Sequence, residues 1–440
     1  MKQFDLALAV FGEILDNDVP FNDALKAHFK DNLDDRPFRK DVAGLLGCAL
    51  RHEILFRFLL NEKGLEEKEI RAAMLLLANL YYYKHLSAEA LEEAVRAVLG
   101  EKFSILEPLI ALKDNPEAFI PESVKRGSKE YLSLRYNTPL WVLKIWEHFG
   151  YGATYKLLRK NIRPRTMTLR VRESAIDPAT VLANSDFLGT SIRNIVAYKG
   201  KEPVRKLAMV KDGSLFEEKA AIKSILDQYR VSEPSELFLY SDVKDDQVIK
   251  EVVESYGASI GLNIGVASLD GLHADASRLI RAKGLKNVNF FASKPDGFEA
   301  SLSRPQDLVL LFPDSTNFDA IRECPDFFVH LKQDSLDGLI ARQKDLLENA
   351  SKFVALDGRL VYCVFTLDKK EGHNQIASFL HSHEGWKLEK EEQLFAYDGL
   401  EATCYYAVLL NEANVAKMTP SISEINAAGL SSSTSLAKGK

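Results

Sequence analysis

"GRLVYCVFTLDKKEG", Gly358 to Gly372, reads as a buried strand running into a charged loop. Leu360, Val361, Tyr362, Cys363, Val364 and Phe365 form a short apolar run of strand-forming residues. Similar runs precede it: "SELFLYSD", "SIGLNIGVASLD", "NVNFFASKP" and "DLVLLFPDS". Helical patterns at 248–256, 272–284 and 338–353 separate these runs, and "CYYAVLL" at 404–410 adds a strand near the end. Continuously apolar strands alternating with helices predict a parallel sheet covered on both faces. Catalytic groups of α/β enzymes commonly sit at the ends of such strands. Here the strand ends in Phe365 and Thr366, with Cys363 two positions earlier.

Upstream the pattern changes. Residues 1–120 carry apolar residues at three- and four-residue spacing, as in "AGLLGCALRHEILFRFLLNE". Ser87, followed by Glu89 and Ala90, is a helix start, and Gly100 is a helix stop. A helical bundle is expected there. Residues 121–230 form a basic connector in which "NIRPRTMTLRVR" predicts a strand. It sets Met167, Leu169 and Val171 on one face and Arg170 and Arg172 on the other. Trp141 and Trp146 read as core residues of a helix. The sheet-forming region spans 231–411, and the Ser-, Ala- and Gly-rich tail 412–440 is expected to be disordered.

The chain has 440 residues and a net charge of −6, with no apolar run long enough for a membrane helix. Its N-terminus reads as an amphipathic helix and not as a signal peptide. Cys48, Cys324, Cys363 and Cys404 are widely spaced, with no C-x-x-C pair, which fits a reducing cytoplasm. Charge is unevenly spread. Residues 125–172 hold twelve Lys or Arg and two acids, Glu130 and Glu147. Such asymmetry is the footprint of a polyanion site, and the interleaved tyrosines could stack on bases. The basic candidates for RNA contact are Lys160, Arg163, Arg165, Arg170 and Arg172.

The order of these parts resembles the bacterial 16S ribosomal RNA cytosine-5 methyltransferases of the Sun/Fmu type. That family joins a NusB-like helical domain to an S-adenosylmethionine (SAM) methyltransferase domain of Rossmann-like fold. "DDRPFRKDVAGLLGCALRHEILFRFLL", "LRYNTPLWVLKIWEHFG", "TLRVR", "IRECPD", "RQKDLLENASKFVALDGRLVY" and "CYYAVLL" carry the resemblance, over roughly residues 5–410. Glu371 and Gln375–Ile376 fall in register with the family's P-E-E-N and the helix after it.

The resemblance implies a fold of several domains, α plus α/β, and a two-cysteine chemistry. A thiolate adds to C6 of cytosine so that C5 can take the methyl group, and a second thiol helps release the adduct. Matching L-V-Y without gaps puts Phe365 at the nucleophile position. Matching Leu310–Leu311 and Pro325–Asp326 puts Phe312 at the acid of D-A-P-C-S and Ser315 at its thiol. The Gly-rich SAM turn falls near "LYSDVKDDQV", which has no glycine and carries Asp242, Asp245 and Asp246. Asp270 lies close to the ribose-acid position but is displaced from it. The acidic run reads as a solvated turn, not a cation site. Cys363 shares a strand face with Phe365 but lies about 6–7 Å deeper; it and Cys324 read as core cysteines.

The expectation is therefore an RNA-binding, monomeric, cytoplasmic relative of the methyltransferases that has lost the chemistry. No metal is expected, and SAM binding should be weakened. The alternatives are an active SAM-dependent methyltransferase with a rebuilt site and a scaffold that binds a protein partner through its helical domain.

Overall fold

The computed structural model describes residues 1–112, 119–163, 165–228, 236–243, 246–257, 261–269, 273–398 and 402–412. Asp245, Asp270 and the tail beyond residue 412 lie outside them.

The N-terminal region is helical around one core. Phe4, Phe11, Phe56, Leu76 and Val95 are among its buried residues. Local chemistry sets the helix ends. Ser87 Oγ accepts from Ala90 N at 3.2 Å to start the helix Ala88–Leu99, and Gly100 (φ +57°) ends it. Glu66 and Glu69 form a reciprocal capping box on Glu67–Ala78.

The connector has two parts. The helices Lys129–Tyr136, Leu140–Trp146 and Gly150–Asn161 pack on residues of the last third of the chain, including Phe318, Ile321 and Leu367. Trp146 is fully buried in that cluster. A small antiparallel sheet follows, with order β2-β3-β1-β4: β1 (Met167–Val171), β2 (Phe187–Gly189), β3 (Ile195–Tyr198) and β4 (Leu215–Glu217).

The large sheet runs in the order β10-β11-β9-β8-β5-β6-β7. Its strands are β5 (Glu236–Ser241), β6 (Gly261–Val266), β7 (Val288–Ala292), β8 (Gln306–Phe312), β9 (Val354–Val364), β10 (Trp386–Leu394) and β11 (Cys404–Asn411). The strands β5 to β9 pair in parallel. β10 and β11 pair antiparallel, so the sheet is mixed and not purely parallel as the apolar runs suggested. β10, "WKLEKEEQL", escaped the sequence reading because an edge strand need not be apolar throughout.

Both faces of the sheet are covered. Leu239, Leu310, Val361, Cys363 and Phe365 face the helices Ala220–Gln228, Gln247–Tyr256 and Ala274–Ala282. Tyr240, Leu311, Leu360, Tyr362 and Val364 face Leu336–Ser351 and His373–Ser382. Gly358 lets β9 run close to β8: a Cβ there would lie 2.8 Å from Ala355 O and 3.1 Å from Asp307 O.

The helical region docks on the α/β region through polar links. Phe21 N donates to Asp326 Oδ2 at 2.7 Å. Arg51 donates to the carbonyls of Ile321 and Arg322, each at 3.3 Å. His330 bridges Asp18 and Asp326, at 2.9 Å to each. No helix among the described residues is long and apolar enough to cross a membrane.

Candidate functional site

The strands β8 and β9 lie side by side, Leu311 paired with Tyr362, and both end at the same edge. The segments that leave them bring Ser315 and Phe365 to one cleft of about 350 Å³. Phe21 and Asn22 close it from the helical region, and Val243, Cys324, Phe327, His330 and Leu331 complete its wall. The two positions that the sequence comparison matched to thiols are therefore brought together. The C-terminal edge of parallel strands is where open α/β sheets form their crevice.

A buried carboxylate holds the two strand ends in place. Glu371 accepts from Thr316 N at 2.9 Å, Thr316 Oγ1 at 2.7 Å and Gln343 Nε2 at 2.9 Å, and Thr366 Oγ1 also donates to it. Burial pushes its pKa up, against the pull of these hydrogen bonds. Gln343 Nε2 also donates to Asp314 O, and Tyr362 Oη to Glu371 O. Sequence register singled out Glu371, and the same matching ended its two motif stretches on Thr316 and Thr366 without giving either a role.

Phe365 is packed as a core ring. It is 2% exposed, and Lys219 Nζ stands 4.4 Å from its centre. Lys219 is itself buried and pairs with Asp319 Oδ2 at 2.9 Å, while Asp319 Oδ1 accepts from Thr403 N at 2.7 Å. Burial works to raise the pKa of Asp319, but Lys219 and Arg165 outweigh it and hold the carboxyl below its usual value. Sequence reading missed Lys219 and Asp319, which are 100 positions apart in the chain.

The cysteines supply no activated thiol. Cys363 and Cys404 are fully buried, and the Cys404 thiol is raised well above its usual pKa by its neighbour Cys363 and by burial. Cys324 reaches the cleft, but burial and the acids Asp326 and Glu323 push it up to about 11. A thiol with that pKa is protonated near neutrality and a poor nucleophile.

At the end of β5 the acids are committed within the protein. Asp242 accepts from Arg342 Nε at 3.1 Å and Nη2 at 2.8 Å, and its own N donates to Phe312 O. Asp246 pairs with His273 Nδ1 and accepts from Ala276 N, each at 2.8 Å, pinning the start of the helix Ala274–Ala282. Asp242 and Asp246 are thus not solvated, while Asp245 lies outside the described residues. Phe312 is fully buried in the core.

Three of the five basic candidates turn inward, which corrects their reading as an open RNA-facing set. β1 has the expected alternation, with Leu169 and Val171 buried on one face. Its other face is also covered, so Arg170 is buried and pairs with Glu251 at 3.0 Å. Arg172 meets Glu254 at 3.3 Å, and Arg165 pairs with Glu323. Lys160 is half-buried and Arg163 exposed. Beside Arg170, the carboxyl of Glu218 has no exposed surface. Burial and the neighbouring Glu251 hold it well above the usual carboxylate range.

A parallel-stranded sheet with an antiparallel β10–β11 edge, helices on both faces and a cleft at its strand ends is the Rossmann-like fold of methyltransferases. Residues 269–412 match the family described as 16S rRNA methyltransferase RsmB/F. The "Probable ribosomal RNA small subunit methyltransferase B" of Bacillus subtilis (strain 168) is 25% identical over 406 residues, 86% of this chain and 88% of that protein. The crystal structure of PH0851 superposes with a TM-score of 0.71 at 16% identity, over 93% of this chain and 99% of that one. A methyltransferase homolog from Pyrococcus horikoshii gives a TM-score of 0.54 at 12% identity, over 64% and 97%. The likeness to that rRNA methyltransferase family is therefore carried by residues 269–412, and the whole chain shares the fold of the solved structures it superposes on.

Proposed function

We propose that this chain is an RNA-binding member of its family in which cytosine-5 methyl transfer has been dismantled. The observation that carries the proposal is Phe365. At the position of the attacking thiol stands a buried phenyl ring, packed under the Lys219–Asp319 ion pair. A phenyl ring cannot add to C6 of a pyrimidine. Ser315, across the cleft, has a hydroxyl that is a far weaker nucleophile than a thiolate, and its Oγ accepts from Asn317 N. Cys324, the cysteine in the cleft wall, is held in its protonated form near neutrality.

The residues at the SAM end fit the cofactor poorly. The turn after β5 lacks the glycines that allow close backbone approach. Asp242 is taken by Arg342, and Asp246 by His273 and a helix start. The chain's residues keep the scaffold: Glu371 ties the strand ends, and the helical region closes the cleft. In this reading the chain acts as a cytoplasmic monomer on ribosomal RNA or an assembling subunit. Residues 1–120 form a NusB-like domain, 121–230 an RNA-binding connector and 231–411 the methyltransferase-like domain.

Titration calorimetry with SAM, paired with gel shifts on structured ribosomal RNA across a salt series, tests this. No saturable SAM binding, with RNA affinity that falls as salt rises, is expected. Micromolar SAM binding followed by methyl transfer to RNA would establish the rebuilt-enzyme alternative instead.

A further inference from the structure

The helix Gly150–Asn161 carries a ladder of Tyr151, Tyr155 and Arg159, each four residues from the next and therefore on one face. The rings of Tyr151 and Tyr155 are nearly parallel, 8° apart in plane with centres 6.0 Å apart. The Arg159 guanidinium lies 5.8 Å from the centre of Tyr155. Tyr155 is anchored below by an edge contact with Tyr136, 6.1 Å between centres, and belongs to the packed connector core. Tyr151 does not: it lies outside that core cluster and is 60% exposed.

Cations lie along the same helix and in the loop beside it. Lys156 and Arg159 are exposed on the same helix. Gly127 lies against the Tyr151 hydroxyl, which brings the exposed Lys125 and Arg126 to the same place. Between Glu147 and Glu173 the chain has no acid at all. An ordinary solvated helix face mixes both signs of charge. Lys156 lies over the Tyr397 ring at 5.6 Å with Asp398 beside it, so the cations nearest the open ring are Arg159, Lys125 and Arg126. An open aromatic face beside them matches a polymer with repeating negative charge and flat, stackable rings.

We propose that this face is a stacking platform for a single-stranded RNA segment. A base lies on Tyr151, and the flanking phosphates meet Arg159 and the Lys125–Arg126 loop. Unpaired bases leave a ring face free to stack, whereas those of a duplex are already stacked on one another. The platform rests on the RNA-binding reading above and names the part of the surface that does the binding.

The test uses the full chain, fluorescence anisotropy, a labelled single-stranded 12-nucleotide RNA and a labelled RNA hairpin. Tyr151→Ala should weaken binding to the single strand roughly tenfold, the worth of one stacked base. Tyr151→Phe should keep it, and the exposed site should leave thermal stability unchanged in both variants. Arg126→Ala with Arg159→Ala should reduce the salt slope by about 1.4. Unchanged single-strand affinity in Tyr151→Ala, or equal losses for strand and hairpin, overturns the platform while leaving RNA binding intact. A wild-type chain that binds neither RNA removes both proposals.

Discussion

Lys219 Nζ lies 4.4 Å from the centre of the Phe365 ring, which is itself part of the buried core. The ammonium also reaches Asp319, so ring, cation and acid form one buried unit at the edge of the cleft. Removing one partner of such a pair leaves an uncompensated charge in the core. Lys219→Met should destabilise the chain by about 3–5 kcal/mol. Adding Asp319→Asn should recover part of that loss. Denaturant unfolding of the four members of this cycle measures it, and a double variant no better than Lys219→Met would mean the pair is not the source of the cost.

The Glu371 hub makes a second expectation. Thr316, Thr366 and Gln343 all donate to it. Glu371→Ala strands these donors, at a cost on the order of 3 kcal/mol. Hydrogen exchange should speed up first in 314–317 and 366–371, the two loops that the carboxylate joins. Protection unchanged there would show that the loops hold themselves.

Glu218 makes stability depend on pH in an unusual direction for a carboxyl. Its pKa in the folded chain is raised, by burial first and by Glu251 next. Folding therefore favours the protonated form. The contribution is fully present below the unfolded value of about 4.3 and is lost as pH rises towards the folded value. Glu218→Gln removes that loss. The variant's melting temperature should rise relative to wild type between pH 5 and pH 9. A gap that stays flat or reverses over that range would mean the carboxyl is not buried in its protonated form.

Restoring the missing thiols should not restore activity. Phe365→Cys with Ser315→Cys puts sulfur at both matched positions, yet Asp242 and Asp246 are still held by Arg342 and His273. No transfer of labelled methyl from SAM to ribosomal RNA is expected. The variant should also melt lower, since Phe365→Cys opens a cavity worth about 2–4 kcal/mol. Measurable methyl transfer would mean that the cofactor end is intact and only the nucleophile was lost.

Much of this was legible in the chain. The run Leu360–Phe365, the order of the apolar strands and the spacing from Leu310 to Asp326 identified the sheet and the resemblance it carries, because strand burial writes itself into continuous local pattern. The same spacing put Phe365 and Ser315 at the matched positions, and the cleft brings them together. β10 escaped because an exposed edge strand carries charges.

What the sequence determined alone is what depends on neighbours along the chain: the helix caps at Ser87 and Gly100 and the alternation of β1. The tertiary structure decided which charges face water. Arg165, Arg170 and Arg172 look like a basic stripe in sequence, yet each meets an acid from 81 to 158 positions away, Glu323, Glu251 and Glu254 being the partners. Among the described aromatic side chains of the connector, Tyr151 is the one left exposed. Periodicity records how a segment alternates between two faces. Whether the second face meets solvent or another layer is set by packing between distant segments, and no local pattern encodes it.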